Sequence, residues 1–241
     1  MRKLLLTSRS IGGAYILFYF SFLIVILVAI FLDEEYLIFT KPLVPISLIL
    51  VHISNVKSIN LYYVASMLVI LVNDTLIYLD FAMYFDLVAI IIVTFYLLCI
   101  FLLKKYIALA DLQIKKFITF PIVISLALIS YLIFSISQLV LPSLMDSFFL
   151  FFMILIVLLL FVAACFFVYI TDKYEGNFRL FISASCCLFV NALLLINYFY
   201  FHTRVFTILI NIAEIAGLYF FLRFLMEAKP INLEYEKDKY F

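Results

Sequence analysis

Residues 147–170 read SFFLFFMILIVLLLFVAACFFVYI, a run of 24 residues without a charged side chain. An α-helix rises about 1.5 Å per residue, so about 20 apolar residues cross the ~30 Å hydrocarbon layer of a bilayer. Apolar residues make up 69% of the 241-residue chain, and its mean hydropathy is +1.30. Water-soluble domains of this size do not have such a composition. The sequence therefore predicts an all-α, polytopic membrane bundle.

Before and after this run in the sequence, seven further segments are long and apolar enough to span a membrane, so we predict eight transmembrane helices. The second segment is the shortest. Together they use almost the whole chain, which predicts one transmembrane domain over residues 1–226 and a short, loosely ordered cytoplasmic tail over 227–241. In chain order, segments 1 to 8 cover residues 11–32, 37–53, 59–79, 81–103, 117–137, 147–170, 178–199 and 205–225.

Basic residues fall on one side of the membrane once these segments are threaded back and forth. Of the 16 Lys and Arg, only Arg204 lies in the opposite loops, and Lys41 lies within segment 2. Loops rich in Lys and Arg stay cytoplasmic, so both termini are predicted to face the cytoplasm. With no organelle signal, we expect a bacterial inner membrane. The residues on the basic side are Arg2, Lys3, Arg9, Lys57, Lys104, Lys105, Lys115, Lys116, Lys173, Arg179, Arg223, Lys229, Lys237 and Lys239.

The sequence gives no sign of a cofactor or metal centre. His52 and His202 lie at opposite predicted faces, which argues against a zinc site. Phosphate-binding glycine loops and nucleophile elbows are absent from the sequence. The basic loops indicate membrane lipids as partners and do not indicate nucleic acid. All cysteines lie inside predicted spans, where thiols are usually packing residues: Cys99, Cys165, Cys186 and Cys187.

Five polar residues lie inside the predicted spans: Lys41, Asp74, Asp86, Asn191 and Glu214. Such residues are costly in hydrocarbon and usually face a bundle interior or a wet cavity. Counting along each helix places all five in the outer half of the membrane or at its midplane. A shared depth predicts one interior site.

Each of the five also has a structural interpretation. Lys41 could snorkel to the outer interface, or form a buried ion pair with Asp74. Asp86 is close enough to the surface to be a solvated carboxylate. Asn191 could be an interhelical hydrogen-bond residue. Glu214 is either neutral or faces Lys41 or water.

Tyrosines near predicted helix ends are expected in the headgroup zone, where amphipathic rings are favoured. On segment 7, small or polar groups repeat every four residues, and segment 8 carries Ala213 and Gly217 at the same spacing. Such stripes let helices approach closely, so segments 7 and 8 are predicted to pack together. The segment 7 stripe is Ser183, Cys187 and Asn191, and the tyrosines are Tyr62, Tyr63, Tyr78, Tyr84, Tyr198 and Tyr200.

Short motifs in a fixed order give the chain a family resemblance. They are Lys41-Pro42-Leu43 in segment 2, Asn73-Asp74-Thr75-Leu76 in segment 3, residues 191–199 in segment 7 and Ala213-Glu214 in segment 8. With these motifs the chain resembles the YhhN, or lysoplasmalogenase-like, membrane proteins, over most of its length and including eight spans.

The chain departs from the family pattern at five positions. Asn73 replaces a Gly, Val190-Asn191 replaces Ser-Asp, Glu214 replaces a Gln and Thr94 takes the place of a His. One family carboxylate is therefore lost from segment 7 and another appears on segment 8. If positions 191 and 214 are neighbours, the exchange keeps two acids in one cavity.

The resemblance implies a hydrolase that cleaves the vinyl-ether bond of lysoplasmalogens and releases an aldehyde and a glycerophospho-base. It implies Asp74 and Glu214 as the catalytic acid and base, with Lys41 as an electrostatic or phosphate-binding partner. It also implies a cavity open to the outer half of the membrane, where a single-chain lysolipid enters sideways. The substrate-binding residues would be Lys41, Asn191, Asn73 and Thr94.

Two alternatives remain open at this point. The first is a non-catalytic lipid-binding protein, which predicts a narrowed pocket and a Lys41–Asp74 pair. The second is a proton-coupled carrier, because intramembrane acids serve there too. The sequence lacks a visible inverted repeat and the paired Gly/Pro-broken helices that such folds often carry.

Overall fold

The structure, a computed structural model, describes residues 2–56, 58–108, 120–143 and 147–231. The beginning of segment 5 and residues 232–241 of the predicted tail lie outside the described residues. So do five of the basic residues assigned to the cytoplasmic side, which are Lys57, Lys115, Lys116, Lys237 and Lys239.

The described part of the chain is helical, and no β-sheet occurs in it. An isolated antiparallel bridge joins Tyr174 to Pro230. Short 3-10 helices cover Glu34–Tyr36 and Leu141–Ser143. The α-helices are α1 (Arg2–Phe31), α2 (Leu37–Thr40), α3 (Leu43–Asn55), α4 (Leu61–Asp80), α5 (Phe85–Ala108), α6 (Phe120–Val140), α7 (Phe148–Thr171), α8 (Phe178–Phe199) and α9 (Arg204–Glu227).

Seven stretches of the described residues are long and apolar enough to cross a membrane. They correspond to segments 1 to 4 and 6 to 8, which confirms the all-helical bundle with membrane-spanning character. Segment 5 corresponds to α6, in which Ala127–Val140 is a shorter apolar stretch. The structure therefore supports seven spans by length and composition, and it does not establish the predicted count of eight.

The second span is interrupted within the predicted segment 2. It covers Glu34–Asn55 and breaks between α2 and α3, at Lys41 and Pro42. Proline has no N–H group to donate into a helix. Pro45 cannot donate to the carbonyl of Lys41, which instead accepts from the N–H of Val44 at 3.0 Å. Local proline chemistry thus places the lysine at a helix break.

Helices α8 and α9 pack closely, as the small-residue stripes predicted. Gly217 lies against Ser183 and Cys186, and a Cβ at Gly217 would stand 3.1 Å from the Cβ of Cys186. Glycine here allows the two backbones to approach. Further contacts join α9 to α3, α4 to α5 and α5 to α7, so α4, α5, α8 and α9 surround a common interior.

The loops form two distinct ends of the bundle. At the basic end, Arg179 pairs with Glu227, and the N–H of Ile231 donates to the carbonyl of Lys173 at 2.9 Å. This bond and the Tyr174–Pro230 bridge hold residues 229–231, so the described start of the predicted tail is ordered. At the acidic end, Arg204 lies 3.6 Å from Asp33.

Candidate functional site

Three charged side chains from different parts of the sequence meet inside the bundle. Lys41 Nζ donates to Glu214 Oε2 at 2.5 Å and lies 3.9 Å from Asp74 Oδ2. The side chains of Lys41 and Asp74 are 3% and 2% exposed, and that of Glu214 is 13% exposed. These three residues are named the charge cluster. The predicted convergence of Lys41, Asp74 and Glu214 is therefore present in the structure.

The fold explains why these residues meet. Lys41 projects from the break between α2 and α3, whose neighbours include α4 and α9. Asp74 lies on α4, less than two turns before its end, and Glu214 lies near the middle of α9. Because Lys41 is buried, the interpretation that it snorkels to the interface is wrong. The alternative in which Glu214 faces Lys41 is confirmed.

The charge cluster contains more negative than positive groups. With all three groups ionised, two carboxylates face one ammonium, and the cluster carries a net charge of −1. Charges in a low-dielectric interior are costly unless they are paired and hydrogen-bonded. The ring of Tyr78 lies 5.3 Å from Lys41 Nζ and adds a cation–π contact. This contact stabilises the ammonium and leaves the second carboxylate uncompensated.

A polar cavity adjoins the charge cluster between α4, α5, α8 and α9. Its lining includes Asn73, Asp74, Asn191 and Glu214, and it offers about 40 Å³ for the centres of water molecules. A single water needs about 10–15 Å³ by this measure, so the polar cavity has room for about three. Its size fits water or a small ion, and a lipid headgroup is larger.

The polar groups of this cavity differ in whether they have hydrogen-bond partners. Asn191 Nδ2 donates to the Tyr96 hydroxyl at 2.5 Å and to the Cys187 carbonyl at 2.8 Å, so the predicted interhelical hydrogen bond is confirmed. In contrast, Asn73 Oδ1 and Glu214 Oε1 are buried and have no hydrogen-bond partner among the described residues. Both unpartnered atoms are acceptors.

A second, apolar cavity lies beside the first. It is lined by α5, α6, α7 and α8 and by Phe81, which follows the end of α4; Phe151 and Leu158 are among its other lining residues. It offers about 60 Å³ by the same measure. Asn191 and Leu194 line both cavities. An amphiphilic ligand with an apolar chain on one side of Asn191 and a polar group on the other would match this pair.

Two of the polar residues in the predicted spans stand apart from the cavity. Thr94 is exposed on α5, and its hydroxyl donates to the carbonyl of Ile90 at 2.9 Å. Asp86 is exposed and accepts from the Ser147 hydroxyl at 2.5 Å, so its interpretation as a surface carboxylate is confirmed. Asp86 was considered because of its depth in the membrane. It lies on an exposed face of α5, so it does not belong to the site.

A row of polar contacts runs from the charge cluster to the acidic end. Asn211 Nδ2 donates to the Tyr78 hydroxyl at 2.9 Å and to the carbonyl of Thr207 at 2.8 Å. The hydroxyl of Thr207 donates to Glu34, and His202 Nε2 lies 3.5 Å from the same carboxylate. The row formed by Tyr78, Asn211, Thr207, Glu34 and His202 is named the polar column.

Sequence reasoning missed the polar column although a signal was present. Thr203, Thr207, Asn211 and Glu214 follow at intervals of four, four and three residues, which places them on one face of α9. Tyr78 was expected in the headgroup zone and instead lies over the buried ammonium. Tyr63, expected in the same zone, is fully buried.

No protein-family model matches the chain, and searches of curated proteins and of solved structures found no match either. The chain's own residues therefore carry the functional argument. In the described part of the chain, no group of three His, Cys, Asp or Glu could hold a metal ion, and all four cysteines are free thiols.

Proposed function

We propose that this chain is a YhhN-like integral membrane hydrolase that cleaves the vinyl-ether bond of lysoplasmalogen-type lysolipids. One observation carries the proposal: two carboxylates from different helices share a single ammonium beside a cavity of water size. Acid-catalysed addition of water across a vinyl ether needs this equipment, namely a proton donor, a proton acceptor and one water.

The chemistry would proceed in two proton transfers. A protonated carboxyl gives its proton to the vinyl carbon distant from the ether oxygen and leaves an oxocarbenium ion. The ionised carboxylate takes a proton from water as the water oxygen bonds to the cationic carbon. The resulting hemiacetal then loses its hydroxyl proton to form the carbonyl group of an aldehyde. Its bond to the glycerol oxygen breaks, that oxygen takes up a proton, and the glycerophospho-base leaves.

The distances favour one assignment of the two roles. Lys41 Nζ is 2.5 Å from Glu214 and 3.9 Å from Asp74, so the ammonium favours the ionised form of Glu214 more strongly. A single proton on the cluster is therefore placed on Asp74, and the cluster becomes neutral. Asp74 would act as the acid and Glu214 as the base. Lys41 contacts both carboxylates. It would therefore stabilise their negative charge and would not bind a phosphate group.

The lipid chain would occupy the apolar cavity, with the vinyl ether near Asn191. Because the polar cavity has room for about three waters, the glycerophospho-base would remain towards the acidic end. In the membrane, α6 would complete eight spans, and both termini would face the cytoplasm of a bacterial cell. The acidic end would then face outward, which agrees with lysolipid entry from the outer half.

The test is release of aldehyde from a vinyl-ether lysolipid by the purified protein in detergent micelles. We expect turnover of this substrate and none of the saturated ether analogue, because only the vinyl carbon accepts a proton. Asp74→Asn and Glu214→Gln should each lower the rate by about 10²–10⁴-fold, the usual contribution of general acid or base catalysis. Asp86→Asn, a carboxylate outside the cavity, is the matched control and should keep the parent rate.

A second candidate is a lipid-binding protein without catalysis. The small polar cavity and the direct Lys41–Glu214 hydrogen bond favour it, because both leave little space for a reacting headgroup. This candidate predicts a lysolipid that binds with or without the vinyl bond and leaves unchanged. Absence of aldehyde release, together with saturable binding of both analogues, would replace the hydrolase by this function.

A further inference from the structure

The charges of the buried charge cluster do not balance. Asp74 and Glu214 supply two negative charges, and Lys41 supplies one positive charge. The polar residues beside it, Tyr78 and Asn191, are neutral, and the next basic group along the polar column is His202, which is 59% exposed. One buried carboxylate is therefore without a cation among the described residues.

The atoms that face the polar cavity point to the kind of ligand that supplies this charge. Asn73 is 1% exposed, its Oδ1 has no hydrogen-bond partner in the described structure, and the residue lines the cavity. Glu214 Oε1 is likewise buried and unpartnered among the described residues. A buried acceptor without a donor costs about 1–3 kcal/mol. Two such acceptors and an acidic side chain together favour a positively charged ligand.

The size of the cavity limits this ligand. Room for about three water-sized groups excludes an organic ammonium with bulky substituents and admits a small cation with its water. Carboxylate and amide oxygens are the ligands of hard cations. Asn73, Asp74 and Glu214 provide both types.

We propose that Asn73, Asp74 and Glu214 form a buried site for one monovalent cation, either a sodium ion or a proton, reached from the acidic end of the bundle. The polar column gives the direction of access, since its contacts lead from the charge cluster to Glu34 and His202 at that end. A proton at this site is the proton that the proposed hydrolysis assigns to Asp74, whereas a sodium ion would keep Asp74 ionised. Neither form of the site requires hydrolysis, and the test below measures no turnover.

The titratable groups around this site come from each surrounding helix. Lys41 lies at the α2–α3 break, Asp74 and Tyr78 on α4, Tyr96 on α5, Cys187 on α8 and Glu214 on α9. Tyr198 of α8 interacts with Tyr78, Lys41 and Glu34. Among these groups, the two carboxylates have the lowest ordinary pKa values, about 4.

The test measures thermal unfolding of the full-length protein in detergent with a thiol-reactive dye, since its cysteines lie within the bundle. Sodium, potassium and choline chloride are compared at equal ionic strength, at several pH values from 5 to 9. If sodium binds, the midpoint rises with sodium and saturates, while choline has no effect. If the proton binds, acid raises the midpoint equally in all three salts, and an infrared band of a protonated carboxyl group is present.

Variants then locate the effect. Asn73→Leu should abolish a sodium response, because it removes an uncharged oxygen ligand. Asp74→Asn should abolish the sodium response, or the acid response and the infrared band, whereas Asp86→Asn should keep them. A parent protein indifferent to both sodium and acid would overturn the proposal, and so would a response that survives in Asp74→Asn. The parent measurement decides the existence of the site even if a variant fails to fold.

Discussion

Two charged clusters of this molecule use the same chemical groups in opposite surroundings. The charge cluster has one cation, two carboxylates and almost no exposure. At the basic end, Arg179 and Arg223 both contact the carboxylate of Glu227, and these side chains are 29%, 29% and 36% exposed. The surface cluster has the opposite excess, with two cations and one anion, and water and salt can screen it.

The difference shows how burial decides the role of an ion pair. Exposed pairs contribute about 0–1 kcal/mol because solvent screens them and their long side chains lose entropy. Buried groups lose hydration worth several kcal/mol each, so every unmatched charge or acceptor matters. The surface cluster therefore has a structural explanation, because its ion pairs join α8 to α9. The charge cluster contains a buried carboxylate without a matching cation, so it needs a functional explanation.

The largest expected effect is that of Lys41→Met. This substitution removes the sole cation of the charge cluster and leaves two buried carboxyl groups, which should lower the free energy of unfolding by about 3–5 kcal/mol. Lys104→Met, at an exposed position of α5, is the matched control and should change it by less than about 0.5 kcal/mol. Denaturant titration in detergent measures both. Equal stabilities of the two variants would contradict the burial argument.

The variant Glu214→Gln tests the effect of the excess negative charge in the charge cluster. This variant leaves one ammonium and one carboxylate, so it should be less destabilised than Lys41→Met. The double variant should be more stable than the sum of the two single effects requires, with a coupling of about 0.5–3 kcal/mol. A double-mutant cycle measured by the same titration provides this number. Simple additivity would mean that the 2.5 Å contact carries no energy.

The contact between the charge cluster and the polar column is tested by Tyr78→Phe. The ring over Lys41 remains, and the hydrogen bond to Asn211 is lost. Buried hydrogen bonds between membrane helices average about 0.6 kcal/mol, so a loss of about that size is expected. In the cation assay used for the parent, the midpoint shift should remain, because Asn73, Asp74 and Glu214 are unchanged. A loss as large as that of Lys41→Met would show that the hydroxyl has a further partner.

The sequence predicted the axial positions of the site better than its angular positions. Counting residues from a helix end placed Asp74 and Glu214 at similar depth, and the structure brings both to Lys41. Depth does not determine which face of a helix points inward, so Asp86 was counted with the site although it is exposed. Thr94 entered the candidate set through the family resemblance, and it is exposed as well. The helix break lies at the prolines, because Pro45 has no N–H to donate to the carbonyl of Lys41. The sequence did not show which side chains would meet Lys41 at that break.

Some of the site could still have been found from periodicity. Thr207, Asn211 and Glu214 lie on one face of α9, and a search for polar residues at helical spacing would have joined them. Tyr78 could not be found in this way, because a tyrosine near a helix end looks the same whether its ring lies among headgroups or over a buried lysine. Contacts between distant segments decide that case, and no local pattern encodes them.

The smallest expected effect is that of Glu227→Gln in the surface cluster. Its carboxylate is partly exposed and contacts two arginines, so its neutralisation should change the free energy of unfolding by about 0–1 kcal/mol, and less at high salt. Unfolding titrations at low and high choline chloride, whose cation is too large for the polar cavity, measure this salt dependence. The charge cluster lies beyond screening by salt, so the deficit of Lys41→Met should persist at both salt concentrations. If the deficit of Lys41→Met also disappeared at high salt, solvent would have to reach the charge cluster, and the buried cation site would lose its physical basis.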